Sequence, residues 1–494
     1  MSTILQGRAA KKREIREAVA AGPFSADWSS LQRYKAPAWY QDAKLGIFIH
    51  WGVYSVPGYD SEWYARNMYI KGSKAYQHHL ETYGPQGSFG YKDFIPMFTA
   101  EHFDAEEWAA LFRKSGAGFV VPVAEHHDGF PMYDCPYTGW NSLKMGPKRD
   151  IIGELADAVR RQYLTFGVSS HRAENWWFYN GGREIDSDVS DPAYAGLYGA
   201  AQPCYGDLAY PLPYLQPNQE FLDDWLVRTC DLIDRYGPQL LYFDWWIEQP
   251  AFKPYLQRLA AYYYNKAAEW DQGVAINYKF DAFAEGSAVY DMERGQLDHI
   301  HPQLWQTCTS VAETAWCYIK DHTYKTSETL IGDLVDIVSK NGIMLLNIGP
   351  KPDGTIPDEE QRLLLEIGAW LKRNGEAVYG TRPWTLYGEG PTRIVTGTFN
   401  DTKRPPFTGR DIRYTTRGDI LYATLLGRAE NGRAVLTALA EDNNLFPHQI
   451  ESVELLGSGQ PLTWSRSNEG AVIELPRGEE AVFAPSFKIK RAMA

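Results

Sequence analysis

The chain has 494 residues, with ordinary apolar (44%) and charged (22%) shares and a formal net charge of −13. That length leaves ample room for a large core and more than one domain, while the acidic balance argues against nucleic acid or an anionic membrane as the main partner. No stretch approaches the ~18–20 apolar residues of a membrane span, and five scattered cysteines without a Cys-x-x-Cys pair exclude a disulfide framework.

The first ten residues form no apolar h-region, and the basic cluster Lys11, Lys12 and Arg13 follows. The sequence as given therefore reads without a secretory signal. With Cys135, Cys204, Cys230, Cys308 and Cys317 taken as reduced thiols, a cytoplasmic protein is expected. Residues 11–22 read as a short surface helix. Leu45–Ile49 is the first strong strand; it ends at His50, and Glu62-Trp63 comes soon after. Residues 64–82 look helical and 84–90 form a Gly-rich loop. Asp104, with Glu107 three residues on, starts a helix by a capping-box-like signature.

Phe119 to His127 carries the second strand, and a helix over Ile151–Tyr163 precedes the third, Phe166–His171. Residues 172–217 form a long Pro/Gly/Tyr/Asp-rich loop, a length common in functional walls. The fourth strand, Leu240-Leu-Tyr-Phe-Asp244, lies between Gly237-Pro238 and Gln249-Pro250 and ends on an acid followed by Trp245 and Trp246. Further strands begin at Val274, Val289, Leu304 and Ile343, with helices over 218–236, 254–270, 327–339 and 358–374. The connectors 280–288 and 294–303 are too short for helices.

Eight strands mostly separated by helices predict an irregular (β/α)8 TIM-like barrel. An open doubly wound sheet is disfavoured, because no Gly-rich dinucleotide fingerprint follows the first strand. After Trp384 the helical period vanishes. Short alternating runs at 411–416, 420–426, 434–439, 453–456 and 471–475 predict an antiparallel β-sandwich. The expected domains are a helical lead-in (1–35), the barrel (36–384) and the sandwich (385–494).

Parallel barrel strands all point one way, so their C-terminal ends converge on one mouth. His50, His126, His127, His171, Asp244, Lys279, Glu293 and Trp305 are the strand-end groups this gathers. Asp244 and Glu293 fit glycoside hydrolysis, one attacking and the other acting as acid then base. Taken singly, Asp244 also reads as a turn cap and Glu293 as half of a surface ion pair with Arg294. The histidines with Asp128 would alternatively suit a divalent metal, although there is no His-Glu-x-x-His and the adjacent His126 and His127 should point to opposite faces of a regular strand. A non-catalytic lectin is the third class.

Leu45 to Tyr64, Glu125-His-His-Asp-Gly-Phe130, Lys340 to Pro350 and Asn374 to Trp384 resemble the α-L-fucosidases of glycoside hydrolase family 29. The resemblance covers roughly residues 36–384. It implies a retaining exo-α-L-fucosidase without cofactor or metal, acting on a fucosylated oligosaccharide or glycoside, with Asp244 as nucleophile and Glu293 as acid/base. A fucose-like α-galactoside is the alternative substrate. Fucose contacts carry over to His50, Glu62, Trp63, His126 and His127. His171 and Trp305 join them as sugar-side residues, and Trp316 is matched to the fucose methyl. The chain departs from the family pattern at three places. Gly167-Val-Ser-Ser-His171 lacks the usual tyrosines, Lys279 stands where an arginine is usual, and Trp245-Trp246 replaces a smaller residue, which should narrow the leaving-group side. Oligomeric state is left open, a homo-oligomer included.

Overall fold

The computed structural model describes residues 2–203, 216–459, 461–479 and 482–492. Eight parallel strands close into a barrel in chain order: β1 (Leu45–Ile49), β2 (Phe119–Glu125), β3 (Thr165–Ser170), β4 (Leu240–Phe243), β5 (Ala275–Tyr278), β6 (Val289–Glu293), β7 (Trp305–Ser310) and β8 (Gly342–Ile348). β1 closes the ring on β8, with Leu45 opposite Met344 and Ile49 opposite Ile348. β1, β2, β4 and β8 read as largely apolar runs because both faces are covered, and they are buried at every position. Phe48, Val121, Leu240, Tyr242, Val289 and Leu345 belong to one buried cluster, which Tyr40 joins from the chain just before β1. Each such apolar side chain contributes roughly 1.5–3 kcal/mol on burial.

The helices follow local signals. The Asp104 carboxylate accepts the amides of Glu106 and Glu107, as the capping pattern predicts. Asn218 caps Gln219–Tyr236, which ends at Gly237 in the left-handed region (φ 51°). Two readings differ. The first helix spans Ser2–Ala21 rather than 11–22, and its Lys11 and Lys12 pair with Asp234 and Asp223. The helix expected over 64–82 is two pieces, Tyr64–Asn67 and Lys74–Thr82. Gly72 (φ 91°) lies between them, and the Ser73 hydroxyl caps the second by accepting the Tyr76 amide. The connections after β5 and β6 contain no helix, as their lengths require. The described part of the 172–217 loop is a series of short 3-10 turns and one helical turn. Its remainder, 204–215 with Cys204, lies outside the described residues. The other four cysteines are buried and unpaired.

The C-terminal part packs a five-stranded antiparallel sheet, order β13-β16-β11-β10-β9, with a three-stranded one, β12-β15-β14, over a shared apolar core. Its strands are β9 (Arg382–Glu389), β10 (Ile412–Arg417), β11 (Ile420–Leu425), β12 (Arg433–Leu436), β13 (Ile450–Leu455), β14 (Thr463–Ser467), β15 (Gly470–Glu474) and β16 (Ser486–Arg491). Three are not among the five runs expected. β9 and β14 are edge strands whose residues stay partly exposed, so neither carries a clean apolar alternation. In β16 the buried Phe487 and Ile489 alternate with Lys488 and Lys490, a signal diluted by charge. The sheet docks on the barrel through a buried triad. Asp336 Oδ1 accepts from Arg413 Nε at 2.6 Å and Asp336 Oδ2 from Lys340 Nζ at 2.7 Å.

Candidate active site

Side chains on a strand alternate faces, so the residue two past an inward-facing one also points inward. The site is built on that step. Phe48 leads to His50, Tyr242 to Asp244, Asn277 to Lys279, Asp291 to Glu293 and Leu345 to Asn347. At each pair the lower residue is buried in the barrel and the upper one stands at or just past the strand's C-terminal end. The mouth opens into a cavity of about 1100 Å³ lined by His50, Glu62, Trp63, His126, His127, His171, Asp244, Glu293 and Trp316 among others. The structure thus brings together nine of the ten site residues expected from the sequence.

The tenth, Trp305, does not belong there. It begins β7 at the opposite end of the barrel, is fully buried, and donates its indole N–H to the Lys340 carbonyl (2.9 Å). Trp246 also differs from expectation. Trp245 lines the cavity, but Trp246 turns into the core with φ 73°. His126 and His127 both reach the cavity because β2 stops at Glu125, so strict strand alternation no longer applies to them.

Asp244 is the electrostatic centre. Lys279 Nζ lies 2.5 Å from Asp244 Oδ1 and 2.5 Å from Glu293 Oε2. His171 donates Nδ1–H to Asp244 Oδ2 at 3.0 Å, and His127 Nε2 stands 3.5 Å from the same oxygen. Burial alone would raise the Asp244 carboxyl; Lys279 above all, then His171 and His127, outweigh it and hold the group well below its ordinary range. Burial would likewise lower Lys279, but the two carboxylates keep it well above its usual value.

The histidines divide by their partners. Asn347 Nδ2 donates to Ser310 Oγ and the Trp316 carbonyl, which leaves Asn347 Oδ1 to accept His50 Nδ1–H at 2.7 Å. Burial holds His50 well below its ordinary value, so it is neutral and its Nε2 carries a lone pair. His171 is pushed down to about 4 by burial; its Nε2 accepts the Ser169 hydroxyl at 2.7 Å. His127 goes the other way. Its Nδ1 meets the His171 carbonyl at 2.9 Å and Glu174 Oε2 at 3.0 Å. Burial would lower it, yet the Glu174 and Asp244 charges raise it to about 9. Burial also lifts Glu174, to about 8, and we place the shared proton on His127, which has two negative neighbours. Glu62 is raised by burial, and its Oε2 accepts the Trp316 amide at 3.1 Å.

Among the described residues, two sets of donors, His50/His126/His171 and His127/His171/Asp244, are close enough to share an ion. Both depend on His171, whose two ring nitrogens are already engaged with Asp244 and Ser169. His126 Nδ1 is buried without a partner among the described residues and so is available to a bound hydroxyl.

Several residues at or behind the site carried no sequence signal. Glu174 sits in the long loop after β3, behind the cavity wall, and meets the site at His127. Phe399, Asp401, Thr402 and Lys403 come from the segment joining β9 to β10, more than a hundred residues after β6. Only the fold places them at the mouth.

A closed eight-stranded barrel with two carboxylates, a ring of histidines and tryptophan walls at the C-terminal mouth defines a barrel glycoside hydrolase. Residues 12–376 match the family model "Alpha-L-fucosidase" and residues 405–490 that of the "Alpha-L-fucosidase C-terminal domain". The plasma α-L-fucosidase of Rattus norvegicus is 34% identical over 475 residues, covering 93% of this chain and 92% of that protein. The tissue α-L-fucosidase of Mus musculus is 31% identical over 487 residues, covering 95% of each. A crystal structure of Thermotoga maritima α-fucosidase superposes with a TM-score of 0.74 at 32% identity, over 94% of this chain and 100% of that one. The same enzyme is described in complex with fucose and with a mechanism-based inhibitor. The chain belongs to the α-L-fucosidase family, glycoside hydrolase family 29, and its activity is that of an α-L-fucosidase.

Proposed function

We propose that this α-L-fucosidase removes terminal fucose with retention of configuration, through a covalent fucosyl-enzyme. The observation that carries the reading is the position of Lys279. Contacts of 2.5 Å from one nitrogen to Asp244 Oδ1 and Glu293 Oε2 put those oxygens no more than about 5 Å apart. That matches the ~5–5.5 Å spacing of retaining pairs and falls short of the ~6.5–9.5 Å that inversion needs to admit water.

Asp244, kept ionised by Lys279 and His171, attacks the anomeric carbon. The glycosidic C–O bond breaks, its electron pair stays on the leaving oxygen, and that oxygen takes the proton of Glu293. Water then attacks the same carbon while Glu293 removes its proton, and Asp244 departs as carboxylate. Around the ring, His50 Nε2 accepts from a sugar hydroxyl. His126, His127 and Glu62 supply further hydrogen bonds, Trp63 walls the ring, and Trp316, its ring centroid 5.2 Å from that of His50, offers apolar surface to the methyl. The fucose complex of the T. maritima relative supports the choice of sugar. Proton NMR of aryl α-L-fucoside hydrolysis tests the mechanism: α-fucose appearing first supports it, and β-fucose appearing first overturns it.

A further inference from the structure

The cavity, about 1100 Å³, exceeds the ~300–1,000 Å³ that holds a drug-sized ligand, so one monosaccharide leaves much of it over. Its outer part has a different character from the histidine-lined floor. Phe280, next to Lys279, and Phe399, from the segment between β9 and β10, both line it and stay 55% and 52% exposed. Both also hold left-handed backbone, φ 55° and 53°, which is unfavourable for a bulky side chain. Neither ring offsets that strain by burial in the core. Backbone strain of this kind clusters at functional sites.

Phe399 adjoins the proposed acid/base through its backbone, and Phe280 directly follows Lys279, whose Nζ lies 2.5 Å from Glu293 Oε2. The Phe399 amide donates to the Glu293 carbonyl at 3.1 Å, and the amides of Asn400 and Asp401 donate to the Arg294 carbonyl at 2.8 and 3.1 Å. Asp401 anchors the segment, accepting from Arg294 Nε (3.0 Å), Thr309 Oγ1 (2.7 Å) and Lys325 Nζ (2.5 Å). The leaving group departs on the side of the residue that protonates it, which puts these two residues on the leaving-group side of the mouth.

We infer that Phe280 and Phe399 form a subsite for the leaving group, which is a pyranose unit of a glycan. The inference rests on the double-displacement reading with Glu293 as acid. An aromatic ring buries the C–H face of a pyranose, while Asp281, Thr402 and Lys403 on the same rim offer partners to its hydroxyls. That mixed lining favours a sugar over a plain aryl group. The C-terminal part of the chain thereby helps to select the substrate.

The test compares kcat/KM on the fucosyl disaccharide that the wild type cleaves best, on 4-nitrophenyl α-L-fucoside and on α-L-fucosyl fluoride, which has no leaving-group ring. Phe280→Asn and Phe399→Asn remove the rings yet suit left-handed backbone. The subsite requires the disaccharide-to-fluoride ratio of kcat/KM to fall at least about 10-fold in each variant, mostly through KM. An unchanged ratio overturns it. A fall confined to the nitrophenyl substrate also overturns it, because the occupant is then an aryl group. Failure of the wild type on all three substrates overturns the hydrolytic reading itself.

Discussion

Lys279, at the end of the fifth strand, reaches Asp244, at the end of the fourth, with 2.5 Å between Nζ and Oδ1. Removing that cation lets burial dominate the Asp244 carboxyl. Lys279→Met is expected to move the acidic limb of the kcat/KM profile upward and to lower kcat/KM about 10²–10³-fold. Lys279→Arg, which keeps a cation beside Asp244, should recover most of the rate. A pH–rate series on the three proteins decides it, and an unmoved acidic limb would rule out this role for Lys279.

Much of this was readable in advance, for a physical reason. Buried parallel strands leave continuous apolar runs, and a polar residue at the end of such a run has nowhere to go but the mouth. His50, Asp244, Lys279 and Glu293 all follow that rule. Trp305 failed it because it opens its strand: a tryptophan in a short apolar run does not tell which end of the strand it occupies. Trp246 failed because the turn after Asp244 takes left-handed backbone at that residue, and local sequence does not announce it. Glu174 and Phe399 were out of reach, since both act through contacts that a long loop and a second domain bring to the site.

Glu174 and His127 give a pH dependence of stability. His127 is raised to about 9 in the fold from an ordinary value near 6.5. Its contribution is therefore fully present below about pH 6.5 and is lost as pH rises towards 9. Glu174→Gln removes the charge that raises it. The stability difference between wild type and Glu174→Gln, from urea unfolding, should shrink from pH 6.5 to 9; a constant difference would show that His127 does not carry the proton.

Glu293 should matter in proportion to how much help the leaving group needs. Glu293→Gly is expected to keep glycosylation of substrates with acidic phenol leaving groups within about 10-fold of wild type. Poor leaving groups should lose about 10²–10⁴-fold, the range of general acid catalysis. Pre-steady-state rates across a series of aryl fucosides test this. A uniform loss would move the acid elsewhere.

The join between barrel and sandwich has its own weak point. Asp336 is fully buried between Lys340 and Arg413, and burial, which would raise it, is outweighed by those two cations, so it sits below its ordinary range. Asp336→Ala strands two cations and should cost about 3–5 kcal/mol. Urea denaturation reads the loss directly; a change under about 1 kcal/mol would mean that water reaches the triad.

The central claim is that Asp244 becomes covalently bonded to fucose. A 2-fluoro-fucosyl fluoride slows both chemical steps, while its good leaving group spares the first, so the intermediate accumulates. Intact mass spectrometry should find one fluorofucosyl unit per chain, peptide mapping should place it on Asp244, and the label should leave slowly as activity returns. A label on Glu293 or any other carboxylate would contradict the account, as would steady turnover without a label and with β-fucose as the first product.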